Sequence, residues 1–173
     1  MRKKVVLGCL AFVTILVVLA GCTSSRISTR GAQDTVRPGE GYGQVQLGMS
    51  RDEVVALVGQ PHLKVSSTAY QYRDGFAILF DREFRVAGVM CGGWCEGDKP
   101  LVDRFRGRTP EGIGMGSSLA AVVKTYGTPE KTKRFEEDPD FLIAGYPKLG
   151  VSFAFRRDRL VHITIAKCNS KVL

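Results

Sequence analysis

Apolar residues follow two spacings along this chain, and the two alternate. Val54, Val55 and Val58, with Leu57 beside them, recur at helical spacing and predict a short amphipathic helix. Phe76, Ile78 and Phe80 alternate with their neighbours, and after a polar turn the apolar stretch Val86 to Met90 predicts the return strand of a hairpin. The same order then recurs. Leu47-Gly48-Met49-Ser50 aligns with Met115-Gly116-Ser117-Ser118, Val54-Val55 with Val122-Val123, Gly59 with Gly127 and Pro61 with Pro129. A second hairpin follows, with Val151, Phe153 and Phe155 on one strand, a turn at Arg157-Asp158, and Val161, Ile163 and Ile165 on the other. An internal repeat outranks any local reading, because it sets the architecture.

Both helix starts carry cap chemistry. Ser50-Arg51-Asp52-Glu53 is a capping box, in which the serine oxygen takes an amide three residues on and Glu53 reaches back. Ser118 can cap the second helix, but Ala121 stands where the glutamate would be. Gly59 and Gly127 are expected to stop the helices in the left-handed conformation, and Pro61 and Pro129 to prevent a restart. A further strand is expected before each hairpin, near Thr68 to Tyr72 and Phe141 to Tyr146. The expected fold is therefore α+β: two tandem repeats, each a short helix packed on a three-stranded antiparallel sheet.

The N-terminus has a different logic. Met1-Arg2-Lys3-Lys4 precedes an apolar run from Val5 to Leu19, which ends at Leu19-Ala20-Gly21-Cys22. A run of this length is short of the roughly 20 residues that span a bilayer, and the charged start, apolar middle and small residues have the layout of a secretory signal. The segment resembles the lipobox of bacterial lipoproteins. That resemblance implies cleavage before Cys22, acylation of its thiol and a palmitate-type membrane anchor. With Thr23 following, it implies release to the outer membrane, facing the periplasm, in a Gram-negative host. The expected organisation is a signal peptide over 1–21, a flexible tether over 22–41, a first repeat over 42–91, a connector over 92–112, a second repeat over 113–168 and a tail over 169–173.

Loss of Arg2, Lys3 and Lys4 lowers the formal charge from +8 to +5, a mild basic excess suited to anionic surfaces. A nucleic-acid partner does not fit the expected location. Cys9 leaves with the signal, so Cys91, Cys95 and Cys168 remain in an oxidising compartment as disulfide candidates. Cys91-Gly92-Gly93-Trp94-Cys95 can close as a small loop, or Cys168 can pair with either partner. Spacing does not choose between these.

Gly48-Met49-Ser50, Val54, Gly59-Gln60-Pro61, the tyrosine-bearing strand with Tyr70 and Tyr72, and the closing hairpin together resemble the BamE/SmpA family of small outer-membrane lipoproteins. Those proteins scaffold the machinery that inserts β-barrels. The tandem arrangement is similar to the β-lactamase-inhibitor-protein family, which binds a protein on its sheet. Two units rather than one, and a cysteine pair between them, set this chain apart from the former.

No catalytic set emerges from the residues, and neither a metal nor a cofactor is expected. Cys91 and Cys95 have three residues between them where redox pairs have two, and they lack a helix start. A zinc site would need His62 or His162 to join the cysteines. Glu136-Glu137-Asp138-Pro139-Asp140 lacks the alternation of a calcium loop, and Arg104, Arg106 and Arg108 read as a solvated connector. The better candidate is the sheet face opposite the core, where Ala77, Leu79, Ala87, Val89, Ser152, Ala154, His162 and Thr164 are small or apolar. Leu79, Val89, His162, Thr164 and Trp94 are the expected partner-binding residues. The expected function is a non-catalytic protein-binding or scaffold module of the cell envelope, anchored through Cys22. An inhibitor or sensor of an envelope enzyme or cell-wall ligand is the alternative, and a thiol-redox protein a further one.

Overall fold

A computed structural model describes residues 34–93 and 105–168, and the backbone of Cys95–Glu96 and Lys99–Pro100 between them. The signal-like segment, Cys22, Arg104, Trp94 and the 169–173 tail lie outside the described residues, as does the side chain of Cys95.

Three two-residue strands come first: β1 (Val36–Arg37), β2 (Gly41–Tyr42) and β3 (Val45–Gln46), which form a small antiparallel sheet. The first helix, Arg51–Val58, leads into β4 (Leu63–Ser66), β5 (Ala69–Tyr72), β6 (Phe76–Phe80) and β7 (Val86–Gly92). Cys95–Glu96 and Lys99–Pro100 pair as β8 and β9. The second helix, Leu119–Tyr126, leads into β10 (Lys131–Arg134), β11 (Phe141–Tyr146), β12 (Val151–Arg156) and β13 (Arg159–Ala166). The four strands after each helix merge into one eight-stranded antiparallel sheet, ordered β10-β11-β12-β13-β7-β6-β5-β4.

This corrects the expected α+β class. The chain is mostly β, and it does not build two units of one helix on three strands. β4 and β10 escape a reading by alternation because every residue in them is exposed. The three-stranded ribbon begins inside the stretch expected to be a tether, where Val36 is fully buried and its N–H donates to the Arg108 carbonyl.

The helix caps form as their chemistry requires. Ser50 Oγ accepts from the Glu53 N–H at 3.3 Å, and the Glu53 carboxylate takes both the N–H and the hydroxyl of Ser50 at 2.8 Å. Ser118 Oγ accepts from Ala121 N–H at 3.1 Å, and Asp158 contributes an acceptor for the Leu119 N–H at 3.0 Å. The helices end at Gly59 (φ 84°, ψ −173°) and Gly127 (φ 82°, ψ −171°). This is an extended conformation with positive φ, open essentially to glycine alone, rather than the left-handed helical one expected.

Each half carries one β-bulge in its last strand. Leu79 faces Gly88 but Phe80 faces Val86, which leaves Ala87 as the extra residue. Likewise Ala154 faces His162 and Phe155 faces Leu160, leaving Val161 extra. An extra residue reverses which side chains face which way beyond it. Val86 and Val89 are therefore both fully buried, as are Leu160 and Ile163. Val89 is a core residue, contrary to its expected place on the partner-binding face.

The repeated Gly-Met-Ser and Gly-Ser-Ser segments clamp these bulges. Gly48 N–H donates to the Val86 carbonyl and Val86 N–H to the Met49 carbonyl, both at 2.8 Å. Gly116 N–H donates to the Leu160 carbonyl and Leu160 N–H to the Ser117 carbonyl, again at 2.8 Å. Each helix thus starts at a fixed point on its own last strand, and each buries one valine fully, Val54 or Val122, in the common core.

The two halves differ at the far ends of their helices. Tyr126 stacks on Phe153 (centroids 5.4 Å apart, planes at 21°), and Tyr146 donates its hydroxyl to the Gly127 carbonyl at 2.9 Å. Val58 occupies the place of Tyr126 in the first half, and the hydroxyl of Tyr72, matching Tyr146, is buried without a hydrogen-bond partner.

Two stability tests follow from this packing, each read from urea unfolding midpoints. Val89→Asp should cost more than about 4 kcal/mol, because it buries an unpaired carboxylate, whereas Leu79→Asp should stay within about 1 kcal/mol. Tyr146→Phe should lose about 1 kcal/mol of stability, whereas Tyr72→Phe should lose none, since its hydroxyl has no bond to give up.

Candidate functional site

The sheet face away from the helices is set by register. Ile143, Ala154, His162 and Gly92 lie side by side across β11, β12, β13 and β7. The next row is Gly145, Ser152, Thr164, Met90 and Ala77. Short side chains occupy the middle of these rows, and Phe141, Ile143, Val161 and Met90 stand taller around them. The result is a trough of about 460 Å³, in which Arg156 is the only formally charged lining residue among the described residues.

His162 is held there as a neutral ring. Nδ1 lies 2.9 Å from the Gly92 carbonyl, an obligate acceptor, so Nδ1 carries the proton. Nε2 is then the acceptor for the Thr164 hydroxyl at 3.1 Å. Burial pushes the His162 pKa below its ordinary 6.5, and the Gly92 carbonyl opposes that shift only in part. The backbone at Gly93 runs so close that a β-carbon there would collide with the imidazole. Glycine is required at this position both for its φ of 73° and for this approach.

Of the expected partner-binding residues, His162 and Thr164 line the trough, and Leu79 lies on the same face nearer β5. Val89 faces the core, and Trp94 lies outside the described residues. Met90 and Val161 join the trough although simple alternation assigns them to the core. The only signal for this is the bulge, which places two residues where the partner strand has one.

Of the three disulfide candidates, the side chain of Cys95 lies outside the described residues. Cys91 and Cys168 are both free thiols, one buried and one exposed. Cys91 faces the core opposite Ile163 in the middle of the sheet, and burial drives its thiol pKa far above the ordinary value. A redox pair needs a thiolate, and this position withholds one. Among the described residues no three potential metal ligands converge, so His62, which is exposed, and His162 belong to no metal cluster there. The acidic loop is spent on surface ion pairs, Asp138 with Arg156 at 2.6 Å and Asp140 with Arg157 at 2.9 Å. Such pairs contribute little to stability.

No protein-family model matches the chain, and no curated protein matches it. The fold is similar to the crystal structure of a DUF4309 family protein (YjgB) from Bacillus subtilis subsp. subtilis str. 168. The TM-score is 0.50 at 12% identity, over 80% of this chain and 95% of that one. A likeness at this identity concerns the fold alone.

The state of His162 gives the trough a pH dependence. Its folded pKa is below the unfolded 6.5, so the unfolded chain takes up the proton first as pH falls. The contribution is complete above pH 6.5 and is lost as pH drops toward the folded value. Urea midpoints for the native chain should decline between pH 7.5 and 5.5 more steeply than those of His162→Asn. Parallel slopes would show that His162 does not titrate with unfolding.

Proposed function

We propose that this chain is a lipid-anchored protein of the cell envelope that holds another envelope protein in the outer trough of its sheet and performs no chemistry on it. The observation that carries this reading is the composition of the trough: short apolar and hydroxyl side chains floor it, larger apolar ones rim it, and among the described residues a single arginine is its only formal charge. A sheet face meant for water would carry more charge. The site has the depth to take an apolar side chain or a short extended segment. Its one polar cluster, His162 with Thr164 and Gly92, is already satisfied internally and offers no nucleophile. Anchoring through acylated Cys22, with the outer membrane facing the periplasm as the location in a Gram-negative host, is what the lipobox resemblance and the Thr23 that follows it imply. The resemblance to BamE/SmpA proteins makes outer-membrane assembly the setting to examine first.

The test is photo-crosslinking in cells from Leu79 and Ile143, with Lys133 on the exposed β10 edge as control, followed by mass spectrometry. A defined adduct from Ile143 and Leu79 but not from Lys133 is expected. A barrel-assembly component in it would identify a scaffold, and a single enzyme would identify an inhibitor or sensor. Absence of any adduct from both positions would overturn the reading. Cys22→Ser should in parallel move the protein from the membrane fraction to the soluble one, and retention in the membrane would reject the anchor.

A further inference from the structure

On the opposite face of the sheet, the two halves treat the end of the helix differently. In the second half the space is plugged from within. Tyr126 packs over Phe153, and its hydroxyl donates to Glu111 at 2.6 Å. In the first half the matching positions are Val58 and Gly43, and neither can fill that volume. A cleft of about 310 Å³ remains. That is at the small end of the size of ligand sites, about 300–1,000 Å³.

Its walls are of three kinds. Leu57 and Val58 supply an apolar side. Tyr42, Tyr72 and Phe76 supply aromatic surface, with Tyr72 stacked on Phe76 at 4.8 Å and Tyr42 tilted against Phe76 at 5.1 Å. Asp34 and Asp74 supply two carboxylates, and among the described residues no cation pairs with either. Asp34 accepts the Tyr42 hydroxyl at 3.3 Å. Burial, then the Asp34 charge and in smaller measure that of Asp74, keep that phenol protonated well above its ordinary pKa. Both carboxylates line the same cleft. Tyr72, 95% buried at the cleft wall, is the residue whose hydroxyl has no partner. A buried hydroxyl left unsatisfied is costly, and this one belongs to a residue of the cleft wall.

We propose that this cleft binds an organic cation, a guanidinium or ammonium group on a short apolar stem, of the kind an arginine or lysine side chain presents. The head lies on the side of the cleft lined by Asp34 and Asp74, where a charge-assisted hydrogen bond is available. The stem lies along Leu57 and Val58, and the aromatic faces of Tyr42 and Tyr72 attract the positive charge. In the second half Tyr126 and Glu111 reproduce this arrangement from the chain's own residues, a flat donor-bearing side chain held by a carboxylate. The site is independent of the trough and does not rest on its reading.

The experiment is calorimetric titration of the full chain in detergent at low ionic strength. The probes are acetyl-Gly-Arg-Gly-amide, cadaverine and the neutral acetyl-Gly-norleucine-Gly-amide. Saturable binding of a cationic probe, with none of the neutral one, is expected. Tighter binding of the peptide would identify a protein side chain as the natural occupant, and tighter binding of cadaverine a free amine. Asp34→Asn with Asp74→Asn should weaken binding at least about tenfold, the loss of one charge-assisted contact. Val58→Tyr should abolish binding by supplying the plug of the second half, with the urea midpoint unchanged or raised. Equal binding of the neutral probe, no binding of either cation, or full affinity in Val58→Tyr would each overturn the proposal.

Discussion

The pairing of β7 with β13 is the contact on which the rest of this molecule depends. Each half alone has a helix and four strands, too small a unit to bury much of its own surface. Antiparallel registry from His162 opposite Gly92 to Ala166 opposite Gly88 joins the last strand of one half to the last strand of the other. What would be two unsatisfied edges becomes the centre of a continuous sheet. On the helix side this seam brings Val89 against Ile165 and Cys91 against Ile163, all fully buried. On the other side it brings Met90 beside Thr164 and so creates the trough, which neither half could form separately. The cleft, by contrast, belongs to the first half and its ribbon.

Within each half the decisive device is the clamped bulge. The loop before the helix contributes two backbone hydrogen bonds to the bulged residue, Val86 or Leu160. This fixes where the helix begins and where the strand changes face. A short local sequence thereby controls the orientation of side chains almost forty residues further along. The two bulges coincide in position, so both halves present the same parity to the seam, and core residues meet core residues across it.

These facts explain which parts of the molecule were legible in the sequence. Caps depend on three or four adjacent residues, and Ser50 with Glu53 announced the first helix unaided. Strands with one buried face, such as Phe76 to Phe80 and Val151 to Phe155, announced themselves by alternation. β4 and β10 bury nothing, so Leu63–Ser66 and Lys131–Arg134 carried no pattern to find. Omitting them left each half one strand short of its four. Ala87 and Val161 look like ordinary strand residues, and the bulges they form depend on bonds to a distant loop. That is why Val89 was placed on the wrong face and Met90 was missed. The cleft was illegible for another reason: it arises from what Val58 and Gly43 lack relative to Tyr126 and Glu111. That contrast has meaning only once the two halves are superposed in space.

The two outer strands of the sheet, both fully exposed, are chemically unequal. β10 displays Lys131, Lys133 and Arg134, whereas β4 has Lys64 between Leu63 and Val65, each 52% exposed. In polymer terms such a chain would be a monomer whose two ends differ in how readily they pair with a copy of themselves. Two copies meeting along β4 would form a symmetric pair, and the joined sheet would then show a cationic strand at both extremities. Growth would terminate there. Such an arithmetic separates a bounded dimer from a fibre.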